Sequence, residues 1–146
     1  MTTPRGIRLT RTAVVAYTAV FTAGSLLSIK RGYPAKPLGM DAGVDAKRGV
    51  FNGLHGAGLA APWTMIAQMW VAAALAARSD RSGRWARAWL AFLSAMFIVG
   101  AVGEPVSHKV VTRELPPLDT AVASANIVVP FVMLAGALRS LIETEK

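Results

Sequence analysis

The sequence predicts an all-α, polytopic integral membrane protein, a bundle of four transmembrane helices. Hydrophobic residues make up 53% of the 146-residue chain and charged residues only 16%, against about 25% charged in typical soluble domains. The charges are clustered between long apolar segments. Those segments lack the polar positions, three or four residues apart, that the outer face of a soluble helix would show.

Four apolar segments approach or reach the roughly 17 to 25 residues needed to cross a bilayer. We place them at residues 12–29, 56–77, 85–103 and 121–138, within a single domain of residues 1–146. The arginine-rich start of the chain resembles a signal peptide in outline. Its apolar run continues to Ile29, beyond the about 7 to 15 residues of a cleaved core, so we expect an uncleaved first span.

Counting Lys and Arg gives an orientation. With both termini inside, the inner side carries nine of them and the outer side seven, and cytoplasmic loops are the richer ones. We therefore predict a multi-pass protein of the cell membrane with cytoplasmic N- and C-termini. Because alternate loops of an even-spanning chain share a side, the long 1–2 loop (residues 30–54) and the 3–4 loop face the same compartment in either orientation.

The chemically unusual residues gather at this shared face, where the long 1–2 loop meets the ends of spans two, three and four. An ionisable residue at membrane depth marks a functional site by default, and histidine can relay protons near neutral pH. The opposite 2–3 loop is short and mostly basic. The candidate catalytic residues are Glu104, His108, Asp119 and His55.

Glu104 is the main acid–base candidate because it ends the third apolar run and is followed by Pro105. Proline disfavours helix at the preceding residue, so the helix either ends at Glu104 or kinks there. In both geometries partial desolvation would raise the pKa of the carboxyl and make it a proton donor or base. The alternative is an interfacial glutamate paired with Lys109, Arg113 or a basic residue of the long 1–2 loop.

A second set of residues could bind substrate. Asn126 lies seven residues after Asp119, so both project in nearly the same direction on a helix; Asn126 would orient a substrate oxygen or make an interhelical hydrogen bond. Asp119 could instead act as a first-turn carboxylate favoured by the helix dipole. The candidate substrate-binding residues are Asn126, Asn52, Trp63, Trp70 and Met65, the tryptophans being alternatively lipid contacts.

Composition and spacing exclude several classes of function. The chain has no cysteine, which removes disulfides, thiolate metal sites and thiol redox chemistry. The net charge of +8 is explained by Lys and Arg flanking membrane helices, so we expect no nucleic-acid partner. His55 and His108 could ligate a haem or metal, but no ligand-spacing signature supports this, and we expect no cofactor and no metal.

Two functional hypotheses follow. The first is a membrane-embedded enzyme that acts on a lipophilic small molecule by acid–base chemistry, as an isomerase, cyclase or hydrolase of epoxides or esters, with the 1–2 loop as a lid. The second is a non-catalytic carrier, lipid-binding protein or accessory subunit. The expected partners are the lipophilic molecule and the lipid bilayer, together with a second copy of the chain in a homodimer if four short helices cannot enclose a pocket alone.

Overall fold

The computed structural model describes residues 5–36, 40, 43–51 and 56–143, and this part of the chain is helical with no β-strand. The predicted all-α fold is therefore confirmed. Its six helices, in chain order, are α1 (Arg5–Arg31), α2 (Ala46–Phe51), α3 (Trp63–Leu75), α4 (Arg81–Gly103), α5 (Pro105–Val111) and α6 (Pro117–Glu143).

Three of these helices, α1, α4 and α6, are long and apolar enough to cross a membrane, with mean hydropathies of 1.6, 1.7 and 2.0 over their most apolar windows. They contain the first, third and fourth predicted spans. Many large apolar side chains on their outer faces are exposed, and exposed apolar surface on this scale marks contact with another apolar phase. The structure therefore indicates a membrane protein.

The second apolar segment was predicted to be one helix over residues 56–77, and the structure differs from this prediction. Helix α3 has only 13 residues, a length of about 20 Å, and residues 56–62 form a non-helical buried turn. Gly56 adopts a left-handed φ of 70°, which favours glycine. Pro62 disfavours helix at the residue before it. Periodicity alone did not reveal this break because the segment is apolar throughout.

The packing of α1 against α6 forms the centre of the bundle. A Cβ atom at Gly6 would lie 2.6 Å from the Ser140 nitrogen, and one at Gly136 would lie 2.6 Å from Thr10 Oγ1, so glycine allows the two backbones to approach closely. The Gly6 N–H also donates to Glu143 Oε2 at 3.0 Å. The start of α1 therefore lies beside the end of α6, and the two helices are antiparallel.

Side-chain contacts divide the helix ends into two groups. Arg87 caps α3, because its Nε donates to Ala76 O at 2.9 Å and its Nη2 to Arg78 O at 2.7 Å. Arg11 Nε reaches Ala73 O at 3.5 Å. The starts of α1 and α4 and the ends of α3 and α6 thus form one end of the bundle, which we call the arginine end. The opposite end, which contains Glu104, is called the glutamate end.

Candidate functional site

Glu104 lies at the break between α4 and α5. Helix α4 ends at Gly103, Glu104 is extended with φ −78° and ψ 130°, and Pro105 is the first residue of α5. Proline suits a first helical position because the N–H that it lacks would have no intrahelical partner there. The sequence left an ended and a kinked helix open; the structure shows an ended helix followed by a second, short one.

The Glu104 side chain is buried and sparsely hydrogen-bonded. Only 8% of its surface is exposed, and its Oε2 accepts a hydrogen bond from the Lys36 N–H at 3.3 Å. Burial raises the pKa of the carboxyl to about 7, against a smaller lowering by that backbone hydrogen bond. Among the ion pairs of the described residues, none joins Glu104 to Lys109 or Arg113, and both of these cations are exposed.

Glu104 faces a pocket of about 240 Å³ between the buried turn, α3 and α4. Besides Glu104, three side chains of the lining carry polar groups: Tyr17, Ser107 and Asn126. The rest of the lining is apolar. Two methionines, Met65 and Met96, also line it, and their flexible thioether side chains suit an adaptable cavity. A small, mostly apolar pocket with a few convergent polar groups is the usual form of a small-molecule site.

The pocket opens towards the apolar outer surface of α4. Met96 and Val99 line it and are 42% and 51% exposed, and the neighbouring Gly100 is exposed as well. The mouth is therefore made of side chains that also form the outer face of a helix able to cross a membrane.

The buried turn forms the inner wall and is held by side chains of α1 and α6. The Leu59 N–H donates to Ser28 Oγ at 3.0 Å, and Asn126 Nδ2 donates to the Leu59 carbonyl at 2.8 Å. A Cβ at Gly24 would overlap that carbonyl oxygen, so glycine is needed for this approach. Irregular backbone within a membrane is tolerated where its polar groups are satisfied inside the protein.

Asp119 lies at the same end of the bundle but belongs to a separate polar cluster. It is fully buried, and its Oδ2 accepts a hydrogen bond from the Tyr33 hydroxyl at 2.8 Å and lies 3.3 Å from Arg31 Nε. Its Oδ1 has no hydrogen-bond partner within the described part of the chain. Burial is the main cause that raises the pKa of the Tyr33 phenol, and the hydrogen bond to the negatively charged Asp119 raises it further. Asp119 does not line the pocket.

The other predicted site residues have different positions. His108 is exposed and its Nε2 lies 3.0 Å from Val102 O, on the last turn of α4; it does not line the pocket. Trp63 and Trp70 are 48% and 44% exposed, and Trp70 Nε1 donates to Thr18 Oγ1 at 3.0 Å. Of the candidate residues that the structure describes, the pocket lining thus brings together Glu104, Asn126 and Met65 only. His55 and Asn52 lie outside the described residues.

Several residues that shape the site were not selected from the sequence. They are Gly24 and Ser28, which hold the buried turn, and Tyr33, which binds Asp119. A signal for the turn was present: Gly56, Gly58 and Pro62 interrupt the second apolar segment, and such residues weaken a helix. Nothing in the sequence indicated which helices would face that interruption.

The described residues contain no group of three or more His, Asp or Glu side chains that could hold a metal ion. Comparisons with protein-family models, curated proteins and solved structures gave no match. Any function must therefore be argued from the pocket itself.

Proposed function

We propose that this protein is a membrane-embedded enzyme that transfers a proton to or from a lipophilic small molecule through the carboxyl of Glu104. The observation that carries the proposal is a buried glutamate, with a pKa of about 7, facing an apolar pocket whose mouth lies on a helix that is long and apolar enough to cross a membrane. A carboxyl with this pKa is available as both acid and base near neutral pH, which is the optimum for general acid–base catalysis.

An isomerisation fits a pocket with one such group. The protonated carboxyl donates its proton to one atom of the substrate, and the resulting carboxylate removes a proton from another atom, so the bond shifts and Glu104 returns to its starting state. Ser107 and Asn126 supply hydrogen-bonding groups that orient a polar atom of the substrate. The apolar walls exclude water, which strengthens electrostatic interactions inside the pocket.

The loop between α1 and the buried turn is the proposed lid. Its Lys36 N–H donates to the Glu104 carboxyl at 3.3 Å, so the loop contacts the reacting group directly. Movement of this segment would change both access to the pocket and the hydrogen bonding of the carboxyl. Such closures commonly exclude water and complete a site.

We further propose that the chain crosses the cell membrane four times, with both termini in the cytoplasm. The second crossing combines the buried turn with α3, because α3 alone spans only about 20 Å of a core of about 30 Å. The hydrogen bond from Lys36 to Glu104 supports the placement of the 1–2 and 3–4 loops on one side. The pocket lies within a single chain; a homodimer stays a prediction.

A second candidate is a non-catalytic carrier or lipid-binding protein. The observation that favours it is the placement of His108 and Asp119 outside the pocket lining, with His108 exposed against Val102 and Asp119 bound by Tyr33 and Arg31. A binding protein needs only the apolar pocket and one polar contact, whereas hydrolysis of an epoxide or ester would use further groups.

Turnover of a membrane lipid extract tests the proposal. The protein is reconstituted in lipid nanodiscs and incubated with lipids from its own membrane, and mass spectrometry coupled to chromatography follows the appearance of new or shifted species. We expect the wild type to convert at least one lipophile and Glu104→Gln to lose this conversion by 100-fold or more, as removal of a general acid–base group does.

Glu114→Gln is the matched control, because Glu114 is exposed at the same end of the bundle and does not line the pocket. It should retain full conversion. Equal conversion by wild type and Glu104→Gln would contradict an acid–base role. A lipophile that copurifies with the wild type and is never converted would favour the carrier.

A further inference from the structure

A second groove, independent of the Glu104 pocket, lies between α3 and α4 near the arginine end. Its volume is about 660 Å³, and its walls come only from these two helices. Helix α3 supplies Val71 and Leu75, and α4 supplies Trp85 and Trp89. Trp85 is 66% exposed and Trp89 is 44% exposed. The groove is therefore open on the outer surface of the bundle, where lipid would contact it.

Two polar features of this groove match different parts of a phospholipid. Arg81 precedes Trp85 by four residues and Trp89 by eight, so it extends the groove-lining stripe to the start of α4. Ser82 lines the groove beside it. Arg81 is exposed, and no ion pair of the described residues uses it. A guanidinium and a hydroxyl at the mouth suit a phosphate group.

Gln68 is the second feature, since it is an exposed polar side chain within the apolar helix α3. It lines the groove two turns before Leu75, which places it about 10 Å further from the arginine end. An amide exposed to hydrocarbon is costly unless it is hydrogen-bonded. The ester carbonyls of a phospholipid lie below its phosphate and can accept from this amide, while the acyl chains occupy the apolar walls.

The charge of this end of the bundle selects the headgroup. Arg78, Arg81 and Arg84 are exposed at or just before the start of α4. Two acidic side chains of the described residues at this end are already paired. Asp80 accepts from Arg78 at 2.7 Å, and Glu143 accepts from Arg139 at 2.7 Å. Basic surfaces of this kind at the membrane boundary attract anionic lipids. We propose that the α3–α4 groove is a binding site for an anionic diacyl phospholipid, with its phosphate at Arg81 and its ester region at Gln68.

Quenching of tryptophan fluorescence by brominated lipids measures occupancy of this groove. The double variant Trp63→Phe/Trp70→Phe leaves Trp85 and Trp89 as the only tryptophans, and both line the groove. This variant is reconstituted in bilayers that contain brominated phosphatidylglycerol or brominated phosphatidylcholine in the same proportion. We expect phosphatidylglycerol to be preferred by about fivefold, the factor that one arginine contributes near an anionic headgroup.

Two variants, each of which removes one arginine charge, distinguish a specific lipid site from general attraction of anionic lipids to a basic surface. Arg81→Gln should abolish the preference, because Arg81 is on α4 next to the groove-lining Ser82. Arg8→Gln should retain it, because Arg8 is exposed at the same end on α1, a helix that supplies no wall of the groove. Gln68→Leu should reduce quenching by both lipids. Equal quenching by the two lipids in the parent protein, or equal loss of preference in Arg81→Gln and Arg8→Gln, would overturn the proposal.

Discussion

Two carboxyl groups at the glutamate end have different surroundings: Glu104 lines the pocket and Asp119 does not. Asp119 accepts from the Tyr33 hydroxyl and lies beside Arg31. Within the described residues Glu104 has one hydrogen bond, from a backbone N–H, and it faces an apolar pocket. A carboxylate held by a cation and a hydrogen-bond donor is stabilised in its charged form, so we assign the proposed acid–base role to Glu104.

The raised pKa of Glu104 predicts that stability falls as the pH rises. The folded-state pKa of about 7 lies above the ordinary glutamate value of 4.5, so the folded protein binds the proton more tightly than the unfolded chain does. The stabilisation is fully present below pH 4.5 and is lost as the pH rises towards 7. We expect a loss on the order of 2 kcal/mol, measured by thermal unfolding in detergent between pH 5 and pH 8.

Glu104→Gln should remove this part of the pH dependence and be more stable than the wild type at pH 8, because the amide carries no charge. Glu114→Gln, at an exposed position, should keep the wild-type profile. A Glu104→Gln profile that is parallel to that of the wild type would contradict the raised pKa.

The Asp119 cluster predicts a graded loss of stability. Tyr33→Phe removes one hydrogen bond and should lower the free energy of unfolding by about 1 kcal/mol. Asp119→Ala removes the partner of both Tyr33 and Arg31 and should cost about 2 to 3 kcal/mol. Thermal unfolding measures both, with the exposed Thr112→Ala as the control. A wild-type melting temperature for Asp119→Ala would show that the cluster does not stabilise the fold.

At the scale of elements, the buried turn and the short helix α3 distinguish this bundle from four simple spans. The turn is non-helical because Gly56 takes a left-handed conformation and Pro62 disfavours helix before it. Its backbone is satisfied by Ser28 and Asn126. This arrangement places the turn against Tyr17 and Asn126 and so creates the inner wall of the pocket.

A pair of glycine substitutions tests the packing of this turn. Gly24→Ala places a methyl group on the Leu59 carbonyl, so the turn must shift. We expect a loss of more than about 2 kcal/mol in the free energy of unfolding, as overpacking produces. Gly100→Ala, where no atom lies within 4 Å of the new methyl group, should be neutral or slightly stabilising because alanine favours helix. Equal melting temperatures would contradict the close approach.

The sequence was sufficient for the three long helices but not for the extent of α3 or for the pocket. Long apolar runs identify α1, α4 and α6 because each is long and apolar enough to cross the whole hydrocarbon core. The charge of Glu104 at the end of such a run marked it as unusual. Tyr33, Ser28 and Gly24 could not be assigned to the site, because their roles depend on residues far along the chain. His108 does not line the pocket, and its ring lies against the Val102 carbonyl instead. Counting the charged residues of each loop could not predict this contact.

At the scale of the whole molecule, the bundle has one end rich in arginine and one end with buried carboxyls. Arg87 is 3% exposed and caps α3 at the first end, whereas Glu104 and Asp119 are 8% and 0% exposed at the other. The proposed four crossings place these ends at opposite faces of the membrane. Cytoplasmic placement of the arginine end agrees with the usual enrichment of basic residues there.

Site-directed labelling tests this topology in a chain that has no native cysteine. Single cysteines replace Met40, Ser79 or Glu114, all of which are exposed, and intact cells are treated with a membrane-impermeant maleimide. We expect Met40→Cys and Glu114→Cys to be labelled, and Ser79→Cys to be labelled only after permeabilisation. Labelling of Met40→Cys and Glu114→Cys from opposite sides would contradict the arrangement of four crossings.

Proton transfer through Glu104 is measured most directly by deuterium incorporation. The reconstituted protein is incubated in heavy water with lipids of its own membrane, and mass spectrometry detects lipophiles that gain one mass unit per exchanged hydrogen. Wild type and Glu114→Gln should both label the same lipophile, while Glu104→Gln should label none above the rate without protein. Incorporation by Glu104→Gln at the wild-type rate, or by no form of the protein, would contradict acid–base catalysis at this pocket.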